Sequence, residues 1–208
     1  MDEYTEKKII AFTSQSLRHY GIRAVRMDDI AKNMNISKRT IYEVYTTKDN
    51  LVNICLESYV SRIENICRLI RCNYEDKLVR LWEISKAYIE NLYRGECAFW
   101  VDVNRLSEYK YIYTTYNRIW TAELDKSIMA CQKEKCIIEN LNRQAFLELF
   151  TTLLYNARLT GCLPAMLHNS AYLLLRGIMR EEALNRLNEE ALVWKAGVYG
   201  KLANNGFS

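Results

Sequence analysis

A short segment near the N-terminus carries basic and hydroxyl side chains of the kinds that contact nucleic acids. The residues are Ser37, Lys38, Arg39, Thr40 and Tyr42. An arginine can donate two hydrogen bonds to a guanine, whereas hydroxyl groups reach phosphate oxygens. Lys38 and Arg39 are therefore candidates for base contacts, and Thr40 and Tyr42 for phosphate contacts. Most exposed basic residues have no nucleic-acid role, so the elements that present these side chains decide the interpretation.

The pattern around these residues predicts two short helices joined by a tight turn. Apolar residues recur at helical spacing from Met27 to Met34 and again within 38–45. Asn35 lies between the two segments, and asparagine accepts a left-handed backbone more readily than most residues. Ser37 can cap the second of these helices. A longer helix is predicted before them at 7–20, so the segment reads as helix, helix, turn and helix.

The stretch from Met27 to Leu51 resembles the DNA-binding module of the TetR family. That family has an N-terminal three-helix module, a long fourth helix and a helical effector domain that dimerises largely through its last two long helices. The resemblance itself covers residues 9–51, and the rest of the chain agrees in length, helicity and order. It implies that six residues cap the recognition helix or face DNA bases and phosphates: Ser37, Lys38, Arg39, Thr40, Tyr42 and Lys48.

The segment also departs from the family pattern at several positions. Arg26 stands where a threonine or serine usually caps the second helix, so either that helix starts differently or Asp28 caps it. Asn35 replaces the usual glycine of the turn. Glu43 places a negative charge near DNA, where it either weakens nonspecific binding or accepts a hydrogen bond from cytosine. These departures concern the operator sequence more than the fold.

The fold class predicted for the whole chain is all-α. One proline and seven glycines among 208 residues are too few turn-forming residues for a protein with many β-strands. A short apolar run at 98–103 fits a strand or a helix, and we choose a helix because no partner strand is evident. Helices are expected after the first module at 48–71, 78–93, 98–103, 108–136, 141–159 and 165–187. We predict a helix-turn-helix DNA-binding domain at 1–48 and a helical ligand-binding and dimerisation domain at 49–208.

The second domain contains two sets of residues with candidate binding roles. Aromatic side chains could line an effector pocket, although a core position is the more common role for any one of them; they are Trp82, Tyr88, Phe99, Trp100, Tyr113, Tyr116 and Trp120. The last two helices have apolar sets broad enough for the core and for a partner subunit. The dimer candidates are Phe146, Leu149, Phe150, Leu153, Leu174, Leu175 and Ile178.

Composition and motifs argue against several other classes of protein. The net charge is only +4, so charge alone does not identify a nucleic-acid binder. The seven cysteines are scattered and read as reduced thiols, and the two histidines, His19 and His168, have no clustered partners. No glycine-rich phosphate loop or nucleophile elbow occurs. We therefore predict no enzyme, metal ion or cofactor, and, since no basic leader or long apolar run is present, a cytoplasmic protein without membrane contact.

These inferences combine into one functional hypothesis with two alternatives. The resemblance implies a ligand-responsive repressor whose homodimer binds a palindromic operator in double-stranded DNA and responds to a small-molecule effector that the sequence does not identify. The first alternative is a helical effector-sensing or protein-interaction module without operator binding. The second is a helical enzyme of an unfamiliar kind. Operator selection or catalytic turnover would distinguish them.

Overall fold

The computed structural model describes residues 3–186 and 188, and within them the chain is helical with no strand. The helices are α1 (Glu3–Tyr20), α2 (Met27–Asn33), α3 (Lys38–Tyr45), α4 (Lys48–Asn73), α5 (Lys77–Leu92), α6 (Cys97–Arg105), α7 (Lys110–Lys133), α8 (Arg143–Leu159) and α9 (Pro164–Ile178). A single 3-10 turn at Ser107–Tyr109 precedes α7. The all-α prediction is confirmed, and no described helix is long and apolar enough to cross a membrane.

Helices α1, α2 and α3 form the small N-terminal module, and local backbone chemistry sets its turns. Gly21 ends α1 in the left-handed region at φ +86°, and its N–H donates to the carbonyl of Leu17 at 2.9 Å. Asn35 has φ 53°, as the turn between α2 and α3 requires. Helix α3 has the predicted bounds and packs through Ile41 and Tyr45, which are both buried. The helix-turn-helix is therefore fixed by one glycine, one asparagine and a small apolar core.

Helix α4 packs against both parts of the molecule. It contacts α1 and α3 on one side and α5 and α7 on the other. Thr47 caps its start by accepting a hydrogen bond from the N–H of Asn50 at 3.1 Å. Buried residues including Leu51 and Ile63 run along most of its length. The long fourth helix that the sequence indicated thus belongs structurally to the module and to the bundle.

The remaining helices form a bundle in which α5 and α7 make the most extensive contact. The ambiguous run at 98–103 is helical, as predicted, and lies within α6. The predicted helix at 165–187 is wrong in its extent, because α9 ends at Ile178. The Ile138 N–H donates to the Ile178 carbonyl at 3.0 Å, and the Arg180 N–H donates to the Cys136 carbonyl at 2.9 Å. This pairing between two segments of the same chain replaces hydrogen bonds that would continue α9. The chain is helical again at 181–186, and Leu187 lies outside the described residues.

A buried carboxylate joins the N-terminal module to the bundle. Asp102 of α6, whose side chain is 5% exposed, accepts from the Arg23 N–H at 3.0 Å and from Arg23 Nε at 2.7 Å. A Cβ added to Gly21 would lie 2.8 Å from Asp102 Oδ2, so glycine also permits the close approach. Nearby, the Glu96 N–H donates to the Arg18 carbonyl at 2.7 Å. The end of α1 and the following loop are therefore anchored directly on α6.

We expect Asp102→Ala to lower the free energy of unfolding by about 1–3 kcal/mol, because it leaves the Arg23 N–H without its buried acceptor. Urea unfolding followed by far-ultraviolet circular dichroism measures the change. The control is Asp125→Ala, which removes a more exposed ion pair to Arg143 (2.7 Å) and should cost less than about 1 kcal/mol. Equal losses in the two variants would contradict the special role of Asp102.

Candidate nucleic-acid interface

The N-terminal end of α3 is built so that its polar face remains open to solvent. Ser37 Oγ accepts a hydrogen bond from the Thr40 N–H at 3.0 Å, which confirms Ser37 as the helix cap. The same oxygen lies 2.8 Å from Thr40 Oγ1, so the Thr40 hydroxyl is engaged locally. Lys38, Arg39 and Tyr42 are exposed, whereas Thr40 is half-buried. Five of the six predicted contact residues thus lie together, on α3 or at its cap: Ser37, Lys38, Arg39, Thr40 and Tyr42.

Both basic side chains on this face are paired with carboxylates. Lys38 Nζ lies 2.7 Å from Asp28 Oδ1, and Arg39 Nε lies 2.8 Å from Glu43 Oε1. The hydrogen bond to Asp28, followed by the charge of that carboxylate, raises the pKa of Lys38. The Arg39 side chain is 88% exposed, and exposed ion pairs of this kind are worth less than about 1 kcal/mol. Phosphates or base edges can therefore replace these partners at small cost.

Lys48 occupies a different position from the other predicted contacts. It is half-buried, and its Nζ donates to the backbone carbonyl of Ile22 at 2.7 Å. Burial lowers the pKa of Lys48, while the charges of Asp49 and Asp102 oppose that shift. The side chain therefore ties the start of α4 to the loop after α1. An ammonium group has three donors, so a phosphate contact by Lys48 remains a prediction.

The structure shows how α2 starts without the usual threonine or serine cap. It also shows a contact at this point that the sequence analysis missed. The helix begins after Arg26, which has extended backbone angles and makes no side-chain capping hydrogen bond. Asp28 pairs with Lys38 of α3. The only sequence signal for this pair is the helix-turn-helix pattern itself, because that geometry brings the starts of α2 and α3 together.

The aromatic residues that were predicted to line a pocket are packed against one another in the core of this structure. All but the half-buried Tyr113 are buried. Trp100 and Tyr116 have ring centroids 4.9 Å apart, and Tyr88 and Trp120 have centroids 5.6 Å apart. The Trp100 indole N–H donates to the Leu92 carbonyl at 2.8 Å. Phe99 and Trp100 pack edge to face, whereas Trp82 meets Tyr172 near α9. The structure therefore brings most of these rings together, as core.

The predicted dimer residues divide into two sets. Leu149 and Leu153 are exposed on α8, and Leu174 is half-buried on α9. The others are buried within the protomer, because the inner faces of α8 and α9 pack on α5, α6 and α7; they are Phe146, Phe150, Leu175 and Ile178. In the protomer they offer a partner subunit almost no surface, and their assignment to an interface stays a prediction. Met166 and Leu173, 55% and 54% exposed, are apolar surface residues that the sequence analysis missed.

The chain matches a known family model in its N-terminal part and a curated relative over about half of its length. Residues 9–54 match the family described as bacterial regulatory proteins, tetR family. The uncharacterized HTH-type transcriptional regulator YvaF of Bacillus subtilis is 31% identical over 107 residues, which cover 51% of this chain and 54% of YvaF. The match thus spans about half the length of that relative.

Solved structures share the fold over most of the chain. A putative transcriptional regulator from Saccharomonospora viridis, crystallised with choline, is similar with a TM-score of 0.77 at 13% identity, over 86% of this chain and all of that one. A TetR transcription regulator from Haloarcula marismortui gives 0.73 at 13% identity with the same coverage. At such identities the likeness concerns the fold. The chain is therefore similar to the TetR family of bacterial regulatory proteins in its N-terminal module, and it shares its overall fold with solved regulators of that family.

Proposed function

We propose that the protein is a DNA-binding transcriptional regulator that acts as a homodimer on a palindromic operator. The observation that carries the proposal is the exposed end of α3, where Lys38, Arg39 and Tyr42 project from a capped helix. A recognition helix enters the major groove with its N-terminal side chains toward the base edges. Lys38 and Arg39 fit base contacts, and Thr40, Tyr42 and Lys48 fit phosphate contacts.

Exposed apolar residues on α8 and α9 support the proposal that a second subunit binds there. Leu149 and Leu153 are four residues apart, so they lie on one face of α8. Met166 and Leu173 add apolar surface on α9. A twofold interface uses the same patch from both subunits, which suits a continuous apolar face of this kind. Two recognition helices related by that axis would then address two half-sites of one duplex.

We further propose that residues 1–48 form the DNA-binding domain and that residues 49–208 form the ligand-binding and dimerisation domain. We also propose that the protein acts in the cytoplasm. A structure of similar fold was crystallised in complex with choline, which supports the proposal that this chain also binds a small molecule. The aromatic cluster around Trp100 and Tyr116 is the candidate lining, although its rings are closely packed in this structure and would have to separate to admit a ligand. The half-buried Tyr113 is the member of the set with most exposure to solvent. A ligand would act by binding one of two module spacings more tightly than the other.

The alternative is a helical sensing or interaction module without operator binding. The pairing of Arg39 with Glu43 favours it, because a carboxylate on the recognition helix repels phosphates. Selection of bound duplexes from random DNA by the full-length protein tests the two proposals. If the protein is a DNA-binding regulator, we expect enrichment of an inverted repeat. Recovery of unenriched DNA after repeated rounds would favour the sensing module.

Charge changes on α3 should alter DNA affinity in opposite directions. We expect Arg39→Ala to weaken binding to a selected duplex by at least about tenfold, which is the loss of one bidentate base contact. Glu43→Gln should tighten binding to mixed-sequence DNA several-fold, because it removes a repulsion and releases Arg39. Fluorescence anisotropy across a salt series measures both effects. Glu148→Gln on α8 carries the same charge change and should leave affinity unaltered; an equal gain in that control would contradict a local effect.

Charge placed on the exposed face of α8 should separate the subunits. We expect the double variant Leu149→Glu and Leu153→Glu to raise the dimer dissociation constant at least about tenfold. Each substitution would bury a carboxylate against the apolar surface of the partner subunit. Sedimentation velocity measures the change, and circular dichroism checks the helix content. Leu69→Glu alters an exposed leucine of α4 and serves as the control. A variant that remains as dimeric as the Leu69→Glu protein would contradict the proposed interface.

A further inference from the structure

A groove of about 480 Å³ lies between α1 and α4 and reaches the edge of the aromatic core at Phe99. Its walls carry apolar side chains from both helices, including Ile10, Leu17 and Ile54. Tyr59 of α4 and Phe99 of α6 are buried among its lining residues, so α6 also contributes to the groove. Ala11 and Ser58, both exposed, leave the mouth open because their side chains are small. The groove is therefore apolar within, accessible from solvent and as large as sites that hold small ligands.

Three arginines from separate elements converge at one end of this groove. Arg18 of α1 and Arg62 of α4 line it. Arg18 also lines an adjoining depression, together with Arg94 from the loop after α5. Across the described part of the chain no carboxylate forms an ion pair with any of the three guanidinium groups, and Arg18 Nε donates to the Ser14 carbonyl at 3.1 Å.

The carboxylates and the other cation near this cluster have partners of their own. Glu96 lines the same depression as Arg94, but its Oε2 lies 3.5 Å from Arg158 Nη2. Lys7, at the other end of the groove, is paired with Glu3 at 2.6 Å. Among the described residues, Glu96 is thus the carboxylate that lines this depression, and its ion pair is with Arg158 and not with the three arginines.

The electrostatic effects of the cluster agree with this geometry. Repulsion from Arg94, then burial, then repulsion from Arg18 lower the pKa of Arg62. Burial raises the pKa of Tyr59, while its hydrogen bond with Asn91 and the charges of the three arginines oppose that rise. Like charges held together without a counterion raise the energy of the free protein, and a bound anion would lower it.

We propose that this groove binds a small amphipathic anion, with its carboxylate or phosphate head on Arg18, Arg62 and Arg94 and its apolar body between α1 and α4. The site is separate from the candidate DNA contacts, because Arg62 lies about 21 Å along α4 from Lys48 at about 1.5 Å per residue. It shares Phe99 with the aromatic residues predicted to line an effector pocket, but Trp100 and Tyr116 are not among its lining residues. One wall of the groove is α1 of the N-terminal module, so an occupant touches the DNA-binding and helical parts together.

Isothermal titration of the full-length protein with octyl phosphate, without DNA, tests this site. We expect saturable binding that weakens at least tenfold in the double variant Arg62→Ala and Arg94→Ala. Arg68→Ala removes another exposed arginine of α4, bonded to Asn65 at 2.7 Å, and should bind as the wild type does. Ala11→Phe fills the groove while keeping the arginines, and should also weaken binding. Circular dichroism checks that each variant is folded.

Three results would overturn the assignment. The first is an unchanged dissociation constant for octyl phosphate in the double arginine variant, or the absence of saturable binding to the wild type. The second is equal affinity for inorganic phosphate, which would show that the apolar groove contributes nothing. The third is equal affinity for octyltrimethylammonium, which would exclude recognition of the negative head. None of these outcomes bears on operator binding, which is measured separately.

Discussion

The contact between Asp102 and the loop after α1 determines where the N-terminal module stands on the helical bundle. A carboxylate withdrawn from solvent must have its oxygens satisfied, and here they accept from the backbone and the side chain of Arg23. Gly21 makes the approach sterically feasible. Because the acceptor belongs to α6 and the donors follow α1, the interaction crosses from one part of the molecule to the other.

Neighbouring contacts extend this anchor to the recognition helix. Lys48 reaches from the start of α4 to the carbonyl of Ile22, and Tyr109 hydrogen-bonds to Asp49 at the same end of α4. Helix α3 lies directly before α4 and packs against it. A change in the bundle that moves α4 or α6 therefore moves the base on which α3 rests. In the proposed function, this mechanical linkage is what would let a ligand alter the spacing of two recognition helices.

Local chemistry explains which parts of the fold could be predicted from the sequence. Asn35 and Ser37 act on their own backbone neighbourhood, so the turn and the start of α3 followed from residue type and spacing. Asp102 could not be assigned in this way, since Arg23 is distant in the chain and their meeting depends on how α1 packs on α6. The end of α9 was missed for the same reason, because Met179 pairs with Ile137 from the segment after α7.

The candidate sites differ in how much the sequence could say about them. The exposed end of α3 is a property of one short amphipathic helix, and its open face agrees with the prediction. Leu149 and Phe150 are adjacent apolar residues, yet Phe150 is buried in the core and Leu149 is exposed. A helix with a broad apolar surface does not reveal which side faces the bundle. The arginine groove draws on three separate elements, so no sequence window contains it.

In the proposed function, a symmetric pair of subunits presents two α3 helices to one duplex. Hydroxyl-radical footprinting of the full-length protein on a duplex selected from random DNA would detect both helices at once. We expect two protected patches on one face of the duplex, with centres about 34–36 Å apart or a multiple of that distance. A single patch, or two patches on opposite faces, would contradict it.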